Sequence, residues 1–305
     1  IRLGQLSIVP GLRFEQIDYH YTTYQSNGDN IPTDDASRGL GVFAPGIGLN
    51  YQSNENTSIF AGAYRGISVP GPRSAARRGR ELDEESTLSI ESGIRYDNRK
   101  GVFAEFIAFN TKFDDLITID NIATGSSNPQ NIGEARSRGL EMILGWDATA
   151  NGNASFKAPI SIAATYTDAE FKTNSTDSNA ESIFSGAMIG NAFPYVPEWQ
   201  FNLSGDLEFE TFRLSANLNY ADSVYGSGSN TAIEENPTGS PDARFGLIDS
   251  LFIVDISATF HINEQAEAFI NITNVFDEQK LIGRLTDGPR PNAPRQASVG
   301  MGFRF

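Results

Sequence analysis

The sequence contains no cysteine and only two histidines, and it has no long run of apolar residues. Without cysteine, the chain has no disulfide framework, no thiolate metal site and no cysteine nucleophile. His20 and His261 lie far apart, so they do not form a short zinc motif of the HExxH type. No stretch approaches the ~18 to 20 unbroken apolar residues that a membrane-spanning helix needs. These absences exclude disulfide-rich scaffolds and helical membrane proteins.

Charge and the lack of catalytic motifs exclude further classes. The 305 residues carry a net charge of -15, whereas a nucleic-acid partner calls for a basic surface. The sequence contains no nucleophile elbow, no P-loop and no zinc motif. We therefore predict no enzyme, no catalytic or metal-binding residue, no cofactor and no nucleic-acid partner.

The main positive signal is an alternation of apolar and polar residues, which is typical of β-strands because successive side chains point to opposite faces. Between residues 252 and 262, one face carries Phe252, Val254, Ile256, Ala258, Phe260 and Ile262. The other face is mostly polar, with Asp255, Ser257, Thr259 and His261. Such a segment matches the ~9 to 11 residues of a tilted transmembrane strand.

The alternation predicts about twelve strands, separated by connections that are short and long in turn. The predicted strands are 5–24, 41–53, 57–70, 85–98, 101–120, 134–149, 159–173, 199–210, 212–226, 246–262, 266–278 and 295–305. A soluble β-sandwich also alternates, but its Greek-key connections do not keep a short–long order. We therefore predict an all-β, antiparallel, up-and-down transmembrane β-barrel, with short turns facing the periplasm and long loops facing outside.

The last strand and several internal segments resemble known outer-membrane proteins. The chain ends with Ala297, Val299, Met301, Phe303 and Phe305 on one face, and a final aromatic residue is similar to the end of bacterial outer-membrane barrels. Six further segments, in order, resemble motifs of the TonB-dependent outer-membrane receptor family: Ile8–Asp18, Ser58–Pro72, Gly133–Asp147, Phe193–Leu203, Gly246–Phe260 and Asn271–Gln279. The subgroup that they resemble most is the ferric-citrate-type receptors.

This resemblance implies a fold and a function. The family fold is a 22-stranded barrel around an N-terminal plug domain that contacts TonB. Residues 1–305 would then be the C-terminal portion of the barrel, with about twelve strands and without the plug, and further strands would precede Ile1. An open strand edge in lipid is unfavourable because its backbone groups cannot reach water.

The implied function is uptake of a ferric chelate, either a siderophore or ferric citrate, across the bacterial outer membrane. Its partners would be the chelate, outer-membrane lipid and lipopolysaccharide, and TonB through the plug. The alternative is a passive porin or a small structural barrel closed by its own strands. The barrel would do no covalent chemistry in either case.

The candidate binding residues are arginines in two predicted external loops. They are Arg73, Arg77, Arg78 and Arg80 in the connection 71–84, and Arg290 in the last connection. Arginine binds carboxylate and phosphate through paired hydrogen bonds, so these residues would bind an anionic chelate. As alternatives, the run binds lipopolysaccharide phosphates, or is solvated charge paired with Glu81, Asp83, Glu84 and Glu85.

The remaining charged residues are assigned simpler roles. Glu234, Glu235 and Asp242 are predicted to form a solvated loop face, with a divalent-cation site as the alternative. The predicted lumen lining is acidic, with Glu91, Glu105, Glu141, Asp206 and Glu208. These carboxylates are predicted to pair with Arg13, Arg95 and Arg213.

Overall fold

The computed structural model shows one large antiparallel sheet of thirteen strands. The structure describes residues 1–24, 32–71, 75, 82–117, 131, 133–150, 152, 154–175, 182–285 and 288–304. Strand β1 has only two residues, and the other twelve strands of this sheet have eight or more. Within the described residues, no helix is both long and apolar enough to cross a membrane.

Each strand of the sheet pairs with its neighbour in the chain, except where small hairpins intervene. The sheet strands are β1 Arg2–Leu3, β2 Leu6–Tyr24, β3 Pro32–Gln52, β4 Thr57–Ser68, β5 Glu85–Asp97, β6 Val102–Asp114, β7 Ala135–Asp147, β8 Pro159–Phe171, β9 Trp199–Glu208, β10 Phe212–Ala221, β13 Leu251–Asn263, β14 Ala266–Thr273 and β17 Gln296–Phe303. The small hairpins are β11 Val224–Tyr225 with β12 Leu247–Ile248, and β15 Leu281–Gly283 with β16 Arg290–Pro291.

This order confirms the predicted fold class and the alternation of connections. Short turns join β5 to β6 and β13 to β14 at one end, which we call the short-turn end. The long connections, such as those after β8 and β10, all lie at the other end, which we call the long-loop end. A meander of this kind is the topology of an up-and-down barrel.

Register gives the sheet two chemically different faces. Phe201, Tyr220 and Phe252 lie directly opposite one another on β9, β10 and β13, so they share what we call the apolar face. The adjacent positions Asn202 and Asn219 lie on what we call the polar face. Large side chains of the apolar face remain exposed throughout the sheet, which is the arrangement of a barrel whose outer surface contacts lipid.

Glycines on the polar face make room for aromatic rings. Phe60 lies opposite Gly93, and Phe269 lies opposite Gly300. A Cβ atom added at Gly300 would overlap the Phe269 ring, so the ring lies flat over the glycine of the next strand. Such pairs cover backbone that a strand glycine would otherwise leave bare.

Several predicted boundaries were wrong. The connection predicted at 25–40 is shorter, because β3 begins at Pro32 and its polar first residues pair with β2 as far as Tyr24. This part of the hairpin extends past the apolar band, so it lacks the alternation by which strands are recognised. The predicted strands 101–120, 212–226 and 266–278 end earlier in the sheet, at Asp114, Ala221 and Thr273. The terminal Phe305 lies outside the described residues.

Candidate functional site

At the long-loop end, loop segments fold back onto the polar face of the sheet. One lies over β2 and β3, where Ala75 is buried against Tyr19, Leu40 and Val42. Register places Leu40 and Val42 on the same side of β3 as Arg38. Ala75, in the connection after β4, therefore lies on the polar face of β2 and β3.

Arg38 fixes the same loop at a second point. Its guanidinium donates to the carbonyl oxygen of Leu82 at 2.6 Å and to a carboxylate oxygen of Asp83 at 2.6 Å. A longer bond of 3.4 Å reaches the carbonyl oxygen of Ala75. Arg38 thus joins both Ala75 and Leu82 to β3.

A second loop covers the polar face of β6 to β8 with an aromatic cluster. The rings of Phe171 and Phe193 stack with centroids 4.9 Å apart, and Phe184 meets Phe193 edge-on at 5.4 Å. Leu116 and Ala135 complete this buried cluster. Burial of three aromatic rings stabilises the loop from 182 to 193 in one position.

Three connections join into one unit, which we call the loop cap and define as residues 182–198, 222–250, 274–285 and 288–295. The amide of Gly228 donates to the carbonyl of Ile183 at 2.7 Å. The side chain of Asn230 both accepts from the amide of Ala192 at 2.6 Å and donates to its carbonyl at 2.9 Å. These bonds tie the connection after β8 to the connection after β10.

Arg284 holds the rest of the loop cap together. Its side chain is 7% exposed and donates to a Glu234 carboxylate oxygen at 2.8 Å. It also donates to the carbonyls of Ala243 at 3.1 Å and Leu247 at 2.9 and 3.1 Å. In addition, the Tyr195 hydroxyl accepts the backbone amide of Arg284 at 3.1 Å. One buried guanidinium thus joins segments far apart in the chain.

The turn after β14 is fixed by Asn274, which is 4% exposed and has a left-handed φ of 51°. Its backbone amide donates to the carboxylate of Asp255 at 2.8 Å. This bond joins two of the family-like segments, Gly246–Phe260 and Asn271–Gln279. Its side-chain amide donates to the carbonyls of Glu278 at 2.9 Å and Ala293 at 3.0 Å. These motifs therefore position the loop rather than carry chemistry.

The predicted arginine site is only partly described. Arg73, Arg77, Arg78 and Arg80 lie outside the described residues. Arg290 lies in β16, is exposed, and donates to the carbonyl of Leu285 at 2.8 Å. Arg290 is therefore an exposed residue of the loop cap whose guanidinium lies next to Gly283.

The acidic loop residues have structural partners. Glu234 pairs with Arg284, and Asp242 accepts from Arg244 at 2.8 and 2.9 Å. Those hydrogen bonds hold the pKa of the Asp242 carboxyl below its usual range. The predicted solvated face is therefore wrong for Asp242, whose side chain is only 11% exposed. Glu234 is exposed to solvent as predicted, and it also pairs with Arg284. Among the described residues, no group of three or more metal-ligating side chains is found.

On the polar face, part of the predicted ion pairing is present. Arg95 pairs with Glu105, Arg213 pairs with Asp206 at 2.8 Å, and Glu208 pairs with Lys157 at 2.9 Å. Arg13 instead pairs with Glu15, its neighbour on the same face of β2. Within the described part of the chain, Glu91 and Glu141 have no ion-pair partner.

Sequence reasoning missed Arg38 and Tyr195, which anchor loops. Arg38 stands in a segment expected to be a loop, and Tyr195 stands between two prolines without any periodic pattern. The sequence Pro194-Tyr195-Val196-Pro197 predicted only that the strand β9 begins shortly afterwards. Nothing in either neighbourhood indicated a partner about 40 or 90 residues away.

Comparison with known proteins places this geometry in a family. The family model for the β-barrel of TonB-dependent receptors matches residues 1–275. The metal-pseudopaline receptor CntO of Pseudomonas aeruginosa is 25% identical over 276 residues, which cover 88% of this chain and 34% of that protein. The ferric-pyoverdine 358 receptor of Pseudomonas putida is 21% identical over 306 residues, which cover 98% of this chain and 33% of that protein.

A solved structure agrees in fold. The unliganded ferric citrate transporter FecA superimposes with a TM-score of 0.75 at 18% identity, over 98% of this chain and 42% of that one. The chain thus spans about one third of the length of these two curated relatives. The proteins of this family are outer-membrane proteins of Gram-negative bacteria. The chain belongs to the TonB-dependent receptor family and forms part of its transmembrane β-barrel.

Proposed function

We propose that the intact protein is a receptor for a ferric chelate, and that residues 1–305 form the C-terminal portion of its barrel. The observation that carries this proposal is the loop cap, whose segment 182–193 packs on the polar face and whose other connections are held together by Arg284. A pre-formed wall of this kind lowers the cost of ordering loops when a ligand binds. The relatives named for metal-pseudopaline and ferric-pyoverdine support a metal chelate as the ligand class.

In this proposal, arginines bind the anionic groups of the chelate. Arg290 presents its guanidinium on the loop cap. Arg77, Arg78 and Arg80 stand in sequence between two anchored residues, Ala75 and Leu82. The carboxylates of a citrate-type chelate would accept paired hydrogen bonds from such side chains.

The other partners belong to the same proposal. Transport would be driven by TonB acting on a plug domain, which is not among these 305 residues. The apolar face would contact outer-membrane lipid, and lipopolysaccharide would surround the long-loop end.

The test is a binding titration of the intact receptor with ferric citrate and a panel of ferric siderophores. The variant Arg77→Gln/Arg78→Gln/Arg80→Gln should weaken binding of a carboxylate chelate by about tenfold or more, since charge-assisted hydrogen bonds are lost. The matched control is Arg99→Asn/Lys100→Gln/Lys157→Gln, which removes three charges near the short-turn end. If no ferric chelate binds the intact receptor, the iron assignment is wrong and the barrel assignment is unaffected.

A further inference from the structure

The polar face has a charged part and an uncharged part. On β5 and β6 it carries Arg95 and Glu105, which lie opposite each other and pair, and Glu91 lies on the same face of β5. On β8, β9 and β10, next to the loop cap, it carries hydroxyl and amide side chains instead. We call this uncharged area the amide shelf and define it as Thr165, Gln200, Asn202, Asn217 and Asn219.

Register brings the amide shelf together at the long-loop end of the sheet. Thr165 lies opposite Gln200, and Asn202 lies opposite Asn219. Asn217 is the next residue of β10 on the same face. Gln200 is the second residue of β9, and the loop cap reaches residue 198. The amide shelf therefore adjoins the loop cap on the face that the barrel encloses.

The three asparagines of the amide shelf hold one another in place. The side-chain amide of Asn202 donates to the Oδ1 atom of Asn217 at 2.8 Å and to the Oδ1 atom of Asn219 at 2.7 Å. These oxygens face Asn202, so the NH₂ groups of Asn217 and Asn219 point away from it. Among the described residues, neither NH₂ group has an acceptor. The amide shelf thus presents fixed hydrogen-bond donors that the protein itself does not use.

The amide shelf borders a cavity of about 320 Å³. Apolar side chains form much of the remaining lining, where Ala163 lies opposite Asn202 and Ile253 lies opposite Asn219. Of the described residues that line the cavity, none carries a charge. Small-molecule sites are commonly ~300 to 1,000 Å³ in volume and combine an apolar lining with a few fixed polar groups. The cavity therefore has the size and the composition of a site for part of a ligand.

An uncharged lining favours ligand groups that carry no net charge. A carboxylate in this cavity would lose part of its hydration without gaining a cationic partner, which costs free energy. A neutral carbonyl or hydroxamate oxygen needs only a neutral N–H donor, and Asn217 and Asn219 offer such donors. The apolar surface of Ala163 and Ile253 suits the hydrocarbon links between such groups.

We infer that the amide shelf binds the neutral hydroxamate or amide groups of a ferric chelate, so that the ligands of the receptor include uncharged ferric hydroxamates. The inference rests on the proposed function, because it takes the ligand to be a ferric chelate. Asn217 and Asn219 donate to the oxygens of the ligand, and the free Oδ1 atom of Asn202 accepts an N–H group from it. The arginines proposed above bind anionic groups, so the two sets of residues recognise different parts of a chelate.

The experiment titrates the intact receptor in detergent with a neutral ferric trihydroxamate, in which three hydroxamates cancel the charge of Fe³⁺. Asn202→Leu/Asn219→Leu keeps the size of the side chains but removes their hydrogen-bonding groups, and it should weaken binding by about tenfold. The matched control is Asn50→Leu/Asn271→Leu, which removes two asparagines of the polar face outside the amide shelf and should bind like the parent. Binding by the shelf variant within about twofold of the parent would overturn the inference.

A second variant covers the case in which the double variant does not fold. Asn219→Ala alone should weaken binding of the ferric trihydroxamate by about threefold, and an unchanged affinity would also count against the amide shelf.

Titrations with ferric citrate on the same samples separate this inference from the proposed function. Ferric citrate should bind the shelf variant and the parent alike, and an equal loss of both chelates would contradict the selection of neutral groups. A parent protein that binds ferric citrate but no trihydroxamate contradicts only the inference. A parent protein that binds the trihydroxamate but no ferric citrate contradicts only the assignment of the arginines, and one that binds no ferric chelate contradicts both.

Discussion

The sheet and the loop cap are stabilised in different ways, although they are continuous in the chain. In the sheet, each strand pairs with neighbours through regular backbone bonds, and side chains sort by parity onto two faces. In the loop cap, a few buried polar side chains such as Arg284 and Asn274 satisfy backbone groups of distant segments. The sheet is therefore insensitive to most single changes within a face, whereas the loop cap depends on individual residues.

The sharpest test of the two faces is a charge placed in the middle of the apolar face. Ile256 faces Ala216 and Ile272 in the register, and Ser257 is its neighbour on the polar face. Ile256→Arg should make folding into lipid vesicles less favourable by ~2 to 4 kcal/mol, because the guanidinium would lie in hydrocarbon. The matched variant Ser257→Arg should fold almost normally. Urea titrations of refolding into vesicles measure both, and equal costs would mean that the faces are assigned wrongly.

The loop cap should unfold locally, while the sheet stays folded, when its central arginine is removed. Arg284→Met keeps most of the side-chain volume but loses the bonds to Glu234, Ala243 and Leu247. We expect a local cost of about 2 to 3 kcal/mol, since buried carbonyls lose a charged donor. Hydrogen exchange should accelerate in 226–249 and 279–285 and stay unchanged in β10 and β13.

Arg284→Lys serves as the partial control, because a lysine reaches fewer carbonyls and should give an intermediate exchange rate. If exchange accelerates equally in the central strands, then the loop cap is not an independent unit.

The same contrast explains what was predictable from sequence. The ranges of β5, β8 and β9 followed from parity to within two residues, because a strand with one apolar face must alternate wherever it crosses lipid. The strand predicted from residue 246 begins only at Leu251, since Leu247–Ile248 pair with β11 instead. The first part of β3 was missed, because beyond the bilayer water accepts any side chain and the alternation disappears. Most of the loop cap was not predictable because its contacts join residues that lie far apart in the sequence. The contact between Tyr195 and Arg284 spans 89 positions and leaves no periodic trace.

A tighter test of the sheet concerns an aromatic–glycine pair on the polar face. Gly300→Ala should cost about 1 to 2 kcal/mol, because the new methyl group overlaps the Phe269 ring. Phe269→Leu in the same chain should recover part of that loss, since the smaller side chain can move aside. A double-mutant cycle in the vesicle-refolding assay gives the coupling. Additive costs would show that the ring does not cover the glycine.

The smallest expected effect lies in the loop beyond β6. Partial burial of the Asp115 carboxyl raises its pKa above the usual value, although the residue as a whole is exposed, and the nearby Asp114, Asp83 and Glu84 raise the pKa further. A raised carboxyl pKa means that the charged form is disfavoured in the folded loop. The penalty is therefore present at pH values above the folded pKa and disappears as the pH falls through it.

Asp115→Asn should remove that penalty, and asparagine also tolerates the left-handed φ of 57° at this position. We expect a gain below about 1 kcal/mol at pH 7.5, because the residue is exposed and solvent screens its charges. Hydrogen exchange of residues 115–117 should slow in the variant at neutral pH and match the parent under acidic conditions, where both side chains are neutral. An equal difference at both pH values would show that backbone conformation, and not charge, causes the effect. Position 115 would then resemble Asn274, which also has a left-handed φ, more than the charge-paired Arg38.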